Sequence, residues 1–439
     1  MNKIFGFNKA KDILLTNRGF DAQITPDWVS ESAEKIFGKP MTLSEYVQTI
    51  IFEVKDKGDL ALRDITQKID GTLLKDIKVP SDVIENAYNN ISSDLRNALE
   101  VSAERIKTFH ISAMPNDWND FSKGYGQKFI PIDSVGAYIP GGTASYPSTV
   151  LMSCLPAQVA GVKNISITCP NSRGIPTDAV LAAAFIAEVK DVYTLGGAQA
   201  IAAFAYGTES VNAVNLICGP GNIFVTMAKK MVYGDVGLDG HYGPTETVVL
   251  ADNSANPVAC AADLIAQAEH DVLAQSILIT NSKDFAEEVI AQIDSRVSRL
   301  DRSEIILKSL SDKGFVIIVD DLYEGIELSN VFAPEHLTVN TENPDHLLPL
   351  IRNAGMVFTG EFSHEVIGDY GAGPSHVMPT SGTSKFNSGL GVSTFLKSVP
   401  FVNLSKEDSL SITESVVHIA KEEGLTAHAE AAEIRKELE

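Results

Sequence analysis

The stretch Asp191-Val192-Tyr193-Thr194-Leu195-Gly196-Gly197-Ala198-Gln199-Ala200-Ile201-Ala202 decides the fold class of this chain of 439 residues. Its first part is mainly apolar and β-branched, which is typical of a strand in a buried sheet. A pair of glycines follows, and an alanine-rich run then favours a helix. The order strand, glycine turn, helix is the repeating unit of a parallel α/β sheet.

The same unit recurs on both sides of that stretch. Strands are predicted at 134–139, 164–169, 213–218, 247–251, 275–280 and 314–319. Helical patterns are predicted at 149–162, 177–188, 198–206 and 257–270, after the glycine turn 219–222 as far as 231, and as one long helix between the strands at 275–280 and 314–319. The sequence therefore predicts an α/β protein: two Rossmann-like parallel-sheet domains with small N- and C-terminal helical extensions.

The domain boundaries follow from changes in the pattern. Residues 1–24 are weakly patterned and are assigned to an N-terminal extension, and 42–110 have helical spacing. We assign 25–134 together with 245–396 to a main α/β domain, and 135–244 to a second α/β domain. Residues 397–439 return to helical patterns and are assigned to a C-terminal arm.

Composition and charge exclude several classes of protein. The formal net charge is −22 with acidic residues spread along the chain, which opposes binding to nucleic acid or to an anionic membrane. No apolar stretch reaches the roughly 18–20 residues that span a bilayer, and the N-terminus does not resemble a signal peptide. Four cysteines lie in apolar segments without a CxxC pair, which favours buried thiols and a cytoplasmic location.

The glycine turns are candidates for phosphate binding. Gly141-Gly142, Gly196-Gly197 and Gly219-Pro220-Gly221 each join a predicted strand to a predicted helix. Backbone N–H groups at a helix N-terminus attract phosphate, although glycine also ends strands for purely structural reasons. None of the turns matches the GxGxxG pattern, so the turns indicate a nucleotide site without the usual dinucleotide fingerprint.

Two clusters of polar residues have spacings that would suit metal binding or acid–base catalysis. Gln267 and His270 are one helical turn apart and could hold a metal, whereas a capping histidine at a helix end is the structural alternative. Glu335 and His336 are adjacent acid–base groups after Pro334. Because neighbouring side chains on a strand point to opposite faces, these two share a site only if the backbone is irregular there.

Two further segments carry candidate residues. Asp369 and His376 lie in a run rich in glycine and proline from 368 to 376, of the kind that holds functional groups more often than it builds a core. Glu423 and His428 flank Gly424 in the tail, where an exposed helix start is the simpler interpretation.

Taken together, these motifs resemble histidinol dehydrogenase. The resemblance runs in order from about residue 130 to the C-terminus and rests on 138–142, 196–203, 219–222, 267–270, 333–337, 368–370, 375–377 and 425–428. It implies an enzyme that oxidises an amino alcohol, L-histidinol, through the aldehyde to the amino acid with reduction of two NAD. This reaction forms the last steps of histidine biosynthesis.

The resemblance also implies cofactors and residue roles. One zinc would be held by Gln267, His270, Asp369 and, from the partner subunit of a homodimer with shared active sites, His428. His336 would be the general base, and Glu335 would activate water for attack on the aldehyde. The residues implied in substrate binding are the zinc ligands together with Thr245, His336, His376 and Glu423, and those implied in NAD binding are Tyr138, Gln199 and Asn222.

The departures from the family pattern lie near the implied substrate pocket. Thr245 stands where serine is usual, Gly240-His241-Tyr242 replaces a common Met-Pro-Ala, and Ser375 stands for asparagine. A related zinc and NAD enzyme for another small alcohol, such as a sulfonated diol, is therefore the alternative, although the carboxylate of Glu423 favours a cationic substrate. A non-catalytic zinc or nucleotide-binding protein is disfavoured by the presence of both Glu335 and His336.

Overall fold

The computed structural model of the protein describes residues 1–16, 27–141, 145–170, 175–240 and 242–438. Its strands, in chain order, are β1 Asn2–Phe5, β2 Trp118–Asp120, β3 Tyr125–Pro131, β4 Ser134–Tyr138, β5 Asn164–Thr168, β6 Asp191–Tyr193, β7 Leu216–Cys218, β8 Gly237–Leu238, β9 Glu246–Ala251, β10 Gln275–Thr280, β11 Phe315–Ile318, β12 His336–Asn340, β13 Met356–Thr359 and β14 Leu396–Val402.

The helices separate most of these strands. They are α1 Phe7–Leu15, α2 Asp27–Phe37, α3 Leu43–Lys57, α4 Asp59–Asp70, α5 Ser81–Asn90, α6 Ser93–Ser112, α7 Pro147–Ala160, α8 Asp178–Ile186, α9 Gly197–Tyr206, α10 Ile223–Val232, α11 Pro257–Ala268, α12 Lys283–Val297, α13 Ser303–Asp312, α14 Leu322–Phe332, α15 Glu365–Tyr370, α16 Lys406–Glu422 and α17 Thr426–Glu433. Among the described residues, no helix has the length and apolar character that crossing a membrane requires.

One sheet is six-stranded and parallel, in the order β1-β11-β10-β9-β12-β13. All residues of its inner strands β9 and β12 are buried. Along β9 the side chains alternate, so that Val248 and Leu250 join the core beneath α1 and α14, whereas Val249 and Ala251 join the core beneath α11 and α12. Burial of both faces explains the nearly continuous apolar sequence of these strands.

The second parallel sheet has the order β6-β5-β4-β7-β8. Its helices α9 and α10 pack on α3, and apolar residues of α2 and α4 join the same core. Glycine turns follow the carboxyl ends of β4, β6 and β7 at one edge of the sheet. The presence of two parallel sheets flanked by helices confirms the predicted α/β class.

Both parallel sheets belong to one compact unit, Met1–Ala113 with Asp133–Phe395. A smaller unit comprises Met114–Ile132 and Leu396–Glu439. Within it, β2, β3 and β14 form an antiparallel sheet, and α16 packs on α17 through Val417, Ala420 and Ala429.

Several features differ from the sequence prediction. The strands β2, β3, β12, β13 and β14 were not predicted, and β14 occupies the start of the arm at 397–439, which was expected to be helical. The long helix expected between β10 and β11 is two helices, α12 and α13, separated by a turn at 298–302. The weakly patterned start of the chain forms β1 and α1, because β1 completes the edge of the six-stranded sheet beside β11. A four-residue edge strand with one buried side chain, Ile4, carries too little periodicity to be recognised from sequence.

A buried ion pair fixes the turn after β7. The Lys229 ammonium group lies 2.6 Å from the Asp239 carboxylate, with the two side chains 2% and 0% exposed. Lys229 Nζ also donates to the Gly219 carbonyl at 3.0 Å, and the Gly219 N–H donates to Asp239 at 2.7 Å. Gly219 has φ of +98°, and a Cβ atom there would lie 2.2 Å from the Tyr138 carbonyl oxygen, so the position requires glycine.

We predict that Lys229→Met lowers the free energy of unfolding by roughly 3–5 kcal/mol, because it leaves the Asp239 carboxylate buried without its cation. Lys230→Met on the exposed face of the same helix is the matched control and should change stability by less than about 0.5 kcal/mol. Urea titrations followed by circular dichroism compare the variants. The double variant Lys229→Met, Asp239→Leu should regain only part of the loss, because Gly219 then lacks both of its hydrogen-bond partners. Equal effects of the two single lysine changes would contradict the prediction.

Candidate functional site

The candidate acid–base residues lie at the amino end of β12, next to the amino end of the adjacent strand β9 in the six-stranded sheet. His336 begins β12 and pairs in register with Thr247 of β9. Thr245 immediately precedes β9, and Glu335 immediately precedes β12. Gln267 and Asp369 lie near the C-terminal ends of α11 and α15, the helices that follow β9 and β13.

An irregular backbone allows Glu335 and His336 to face one site. Ala333 ends α14 in the left-handed conformation, with φ of +57°. Glu335 lies outside the strand that starts at His336, so the alternation of strand side chains does not separate the pair. The distance from Glu335 Oε2 to His336 Nδ1 is 3.8 Å, and both residues are buried.

The Glu335 carboxylate is held by two donors from the start of β9. The Thr245 hydroxyl donates to Glu335 Oε2 at 2.5 Å, and the Glu246 N–H donates to the same atom at 3.1 Å. Burial raises the pKa of Glu335 to about 8, although these two hydrogen bonds oppose the shift. A carboxylate whose pKa is raised in this way is a stronger base when it is ionised.

The two nitrogens of His336 have different surroundings. Nδ1 faces the Glu246 backbone carbonyl oxygen at 3.4 Å, and a carbonyl only accepts, so Nδ1 carries the proton. Nε2 has no hydrogen-bond partner in the described part of the chain and lies 3.9 Å from Asp369 Oδ1. Burial lowers the pKa of His336 to about 3, which keeps the ring neutral and the Nε2 lone pair free to take a proton.

Gln267 is fully buried, and its amide lies among the same polar groups. The orientation that satisfies its neighbours directs the oxygen to the Glu246 N–H at 2.7 Å and places it 2.6 Å from the Thr245 hydroxyl, whose single hydrogen is shared between this oxygen and Glu335. The amide nitrogen then donates to Glu365, a buried carboxylate that the sequence did not single out. To bind a metal, the Gln267 oxygen would have to exchange one of these hydrogen bonds for it.

The remaining donors match zinc in chemistry. His270 follows α11 and is exposed to solvent, yet desolvation by the neighbouring protein lowers the pKa of its ring, which favours the neutral form that ligates metals. Burial raises the pKa of Asp369 to about 7, and no lysine or arginine pairs with Glu335, Glu365 or Asp369 in the described structure. A bound cation would offset this desolvated negative charge, and imidazole nitrogen with carboxylate and amide oxygens suits zinc.

The described residues show no metal cluster made only of the usual ligand types. Within the described ranges, no group of three or more histidine, cysteine, aspartate or glutamate residues is arranged to hold a metal ion. His428 in α17 and Glu423 at the end of α16 are exposed and belong to the smaller compact unit.

His376 is held on both ring nitrogens. Nδ1 lies 2.8 Å from the Asp369 backbone oxygen, and Nε2 lies 3.1 Å from the Thr149 hydroxyl. Because the carbonyl only accepts, Nδ1 donates and Nε2 accepts from Thr149. The neighbouring Ser375 is buried, and its hydroxyl donates to the Met152 carbonyl at 3.0 Å, so this departure from the family pattern contacts α7.

The three residues implied in NAD binding line one cavity of about 380 Å³ beside the five-stranded sheet. The Tyr138 hydroxyl accepts from the Gly197 N–H at 3.2 Å, at the start of α9. Gln199 is 1% exposed, and its Oε1 has no partner in the described structure. Asn222 is exposed and caps α10 by accepting from the Phe224 and Val225 N–H groups. Gly142 and His241 lie outside the described residues.

Several site residues could not be recognised from sequence. Glu246 and Glu365 are buried carboxylates in the same polar region, and Thr149 reaches His376 from α7 across 227 positions. The one signal for Glu246 was a charged residue leading directly into the apolar run 247–251. Nothing in the local sequence of Glu365 or Thr149 marks them.

Comparisons with known proteins agree on one family. The sequence model described as histidinol dehydrogenase matches residues 38–436. Histidinol dehydrogenase from Sulfurimonas denitrificans is 45% identical over 399 residues, which is 90% of this chain and 93% of the relative. That from Caldanaerobacter subterraneus is 44% identical over 439 residues, with 99% of each chain covered.

A solved structure extends the agreement to three dimensions. The crystal structure of histidinol dehydrogenase from Elizabethkingia anophelis superposes with a TM-score of 0.91 at 34% identity, and it covers 100% of this chain and 98% of the other. Similarity of this extent in both sequence and fold shows that the chain belongs to the histidinol dehydrogenase family.

Proposed function

We propose that this protein oxidises L-histidinol to L-histidine through L-histidinal, with reduction of two NAD. The observation that carries the proposal is the pairing of Glu335 with His336, whose neutral ring presents Nε2 without a partner among the described residues. Membership in the histidinol dehydrogenase family supports the substrate and the place of the reaction at the end of histidine biosynthesis.

In the first step, His336 takes the hydroxyl proton of the alcohol on Nε2 while a hydride leaves the carbinol carbon for NAD. The contact of Nδ1 with the Glu246 carbonyl supports this role, because it holds the ring in the tautomer with Nε2 free. The proton charges the buried ring only transiently, and the nearby Asp369 carboxylate at 3.9 Å would stabilise that charge.

In the second step, the ionised Glu335 takes a proton from water as the water oxygen attacks the aldehyde carbon. The resulting hydrate anion gives a second hydride to a second NAD, and the acid that forms releases its remaining proton to solvent and leaves as the carboxylate. The bonds from Thr245 and Glu246 support this role, because they fix one carboxylate oxygen and leave the other for water.

Gln267, His270 and Asp369 would hold zinc together with His428 of a second subunit. When bound, zinc supplies a template that orients the imidazole and amine of the substrate. His376, positioned by Thr149 and the Asp369 carbonyl, and Thr245 would contact the substrate from the same chain. Glu423 would provide a carboxylate for a cationic group.

A homodimer with shared sites follows from this assignment. The three proposed ligands Gln267, His270 and Asp369 belong to the main unit, while Glu423 and His428 are exposed on the smaller one. α16 also carries Ile412, Val416 and Ile419 at helical spacing, exposed by 44–61%, which gives the helix an apolar face in addition to the one it buries against α17. A second copy of the chain would cover such a face.

We further propose that 135–244 is the NAD-binding domain and that 25–134 with 245–396 carries the metal and catalytic residues. A cytoplasmic location fits the cysteines, which are all buried and unpaired, with pKa values raised by burial. A sulfonated substrate is disfavoured, because the carboxylates around His336 would repel its negative charge. Among the described residues, no lysine or arginine pairs with these carboxylates to offset the repulsion.

Steady-state NADH production tests the function. Zinc-loaded protein should convert L-histidinol with two NADH formed for each L-histidine, and chelation of the metal should stop turnover until zinc is restored. No turnover by zinc-loaded, folded protein with L-histidinol would contradict the proposal, as would turnover of a sulfonated diol in its place.

The replacement His336→Asn should lower kcat by at least about 10²-fold, because it removes the base that accepts the hydroxyl proton. Zinc content, measured by metal analysis, should stay at the wild-type level. His418→Asn is the matched control, since that side chain is 75% exposed on α16. Loss of zinc in His336→Asn would make His336 a metal ligand and overturn the assignment.

The replacement Glu335→Gln should separate the two oxidations. Its amide oxygen still accepts from Thr245 but no longer removes a proton from water, so oxidation of L-histidinal should fall by at least about 10²-fold. The first NADH of each turnover should persist in a single-turnover measurement, with aldehyde accumulating. Glu342→Gln at an exposed position is the control. Equal loss of both half-reactions would count against a specific role in water activation.

A further inference from the structure

The helix α15 carries Asp369 and is short. It has six residues, and a helix of this length is marginal unless tertiary contacts hold it. The last carbonyl groups of a helix also have no partner within the helix. At α15, the Ile367 carbonyl accepts from the Gly371 and Ala372 N–H groups, both at 2.8 Å, which closes the end of the helix locally. The position of Asp369 therefore depends on what holds the carbonyl groups that follow Ile367.

Two side chains of α6 donate to carbonyl groups directly after Asp369. The Ser102 hydroxyl donates to the Tyr370 carbonyl, and Arg105 Nε donates to the Gly371 carbonyl. Ser102 and Arg105 are three positions apart, so they lie on one face of α6. The guanidinium is a charged donor, and a charged donor gives the stronger hydrogen bond of the two. One face of α6 thus holds two consecutive carbonyl groups at the C-terminal end of α15.

The backbone after α15 also lies tightly against α6. Gly373 has φ of +118°, and a Cβ atom there would lie 2.9 Å from Phe109 Cβ and 3.1 Å from the Arg105 carbonyl oxygen. α6 packs in turn on α7, the helix that holds His376. His376 Nδ1 donates to the Asp369 carbonyl at 2.8 Å. This segment is therefore fixed from α6 and α7, and its own backbone supplies the acceptors.

We propose that Arg105 and Ser102 are positioning residues for the metal site, because the carbonyl groups they hold fix the Asp369 carboxylate where a metal would meet it. The inference rests on the proposed function, since it takes Asp369 as a zinc ligand. Groups that orient a ligand raise metal affinity because the ligand is ordered before the ion binds. The charge of Arg105 acts in the opposite direction, because a positive guanidinium near the site repels a cation. The positioning role therefore predicts a change in zinc affinity whose sign charge alone cannot give.

The test is the loss of zinc from the full-length holoenzyme to a competing chelator, measured without substrate. Arg105→Met should raise the Kd for zinc by roughly tenfold or more, which is the effect expected when a metal ligand loses an outer partner. Removal of a positive charge alone would lower that Kd. Lys107→Met is the matched control, because it removes the same charge two positions along α6. An unchanged or lower Kd in folded Arg105→Met, or an equal rise in Lys107→Met, overturns the proposal.

Ser102→Ala removes the neighbouring hydrogen bond without a change in charge. It should raise the Kd for zinc by roughly threefold to tenfold, the weight of one neutral hydrogen bond. Ser112→Ala is its control, because that hydroxyl donates to the Thr108 carbonyl within α6. Circular dichroism identifies the folded variants, and Ser102→Ala carries the test alone if Arg105→Met does not fold. A wild-type Kd in Ser102→Ala also overturns the proposal.

Zinc binding without turnover separates this proposal from the proposed function. Wild-type protein that binds no zinc would overturn the assignment of Asp369 as a ligand and the positioning role with it. Zinc-loaded wild type that fails to oxidise L-histidinol would contradict the proposed function alone. Weaker zinc binding in Arg105→Met would then still support the positioning role.

Discussion

The buried ion pair between Lys229 and Asp239 is the constraint on which the cofactor side of the molecule depends. It holds both backbone polar groups of Gly219, and Gly219 in turn lies against the Tyr138 carbonyl. Thr226, on the same helix as Lys229, donates to the Tyr242 carbonyl at 3.0 Å, so the chain that leads to Thr245 is fixed to α10 as well. A single helix therefore positions both the predicted NAD turn and the start of β9.

The catalytic candidates lie at the amino ends of their strands, whereas sites in open α/β sheets usually lie at the carboxyl ends. The five-stranded sheet keeps the usual arrangement, with its glycine turns after β4, β6 and β7. The exception in the six-stranded sheet is possible because Glu335 precedes its strand and Ala333 adopts a left-handed conformation. The bend lets two consecutive side chains face one site, which regular strand geometry would prevent.

Sequence patterns predicted the repeated strand–turn–helix units because burial of a parallel sheet imposes apolar runs on each strand. They missed β1 and the strands β2, β3, β12, β13 and β14, most of which are short or lie at a sheet edge, and they merged α12 with α13, which a turn of five residues separates. The motifs singled out Gln267, Glu335 and His336, but the hydrogen bonds that organise them come from Thr245, Glu246 and Glu365, up to 98 positions away. Contacts over such separations leave no local signal in a single sequence.

Electrostatics links the site to the proposed dimer. Burial raises the pKa values of Glu335 and Asp369, and no described lysine or arginine compensates them, so the free chain holds desolvated carboxylates that a cation would stabilise. A closed zinc site needs about four ligands. The main unit offers His270 and Asp369, together with the Gln267 amide, which is already engaged in hydrogen bonds. Metal binding and association of two chains would then reinforce each other. The second chain would supply the missing zinc ligand, and the zinc ion would supply the positive charge that the buried carboxylates lack.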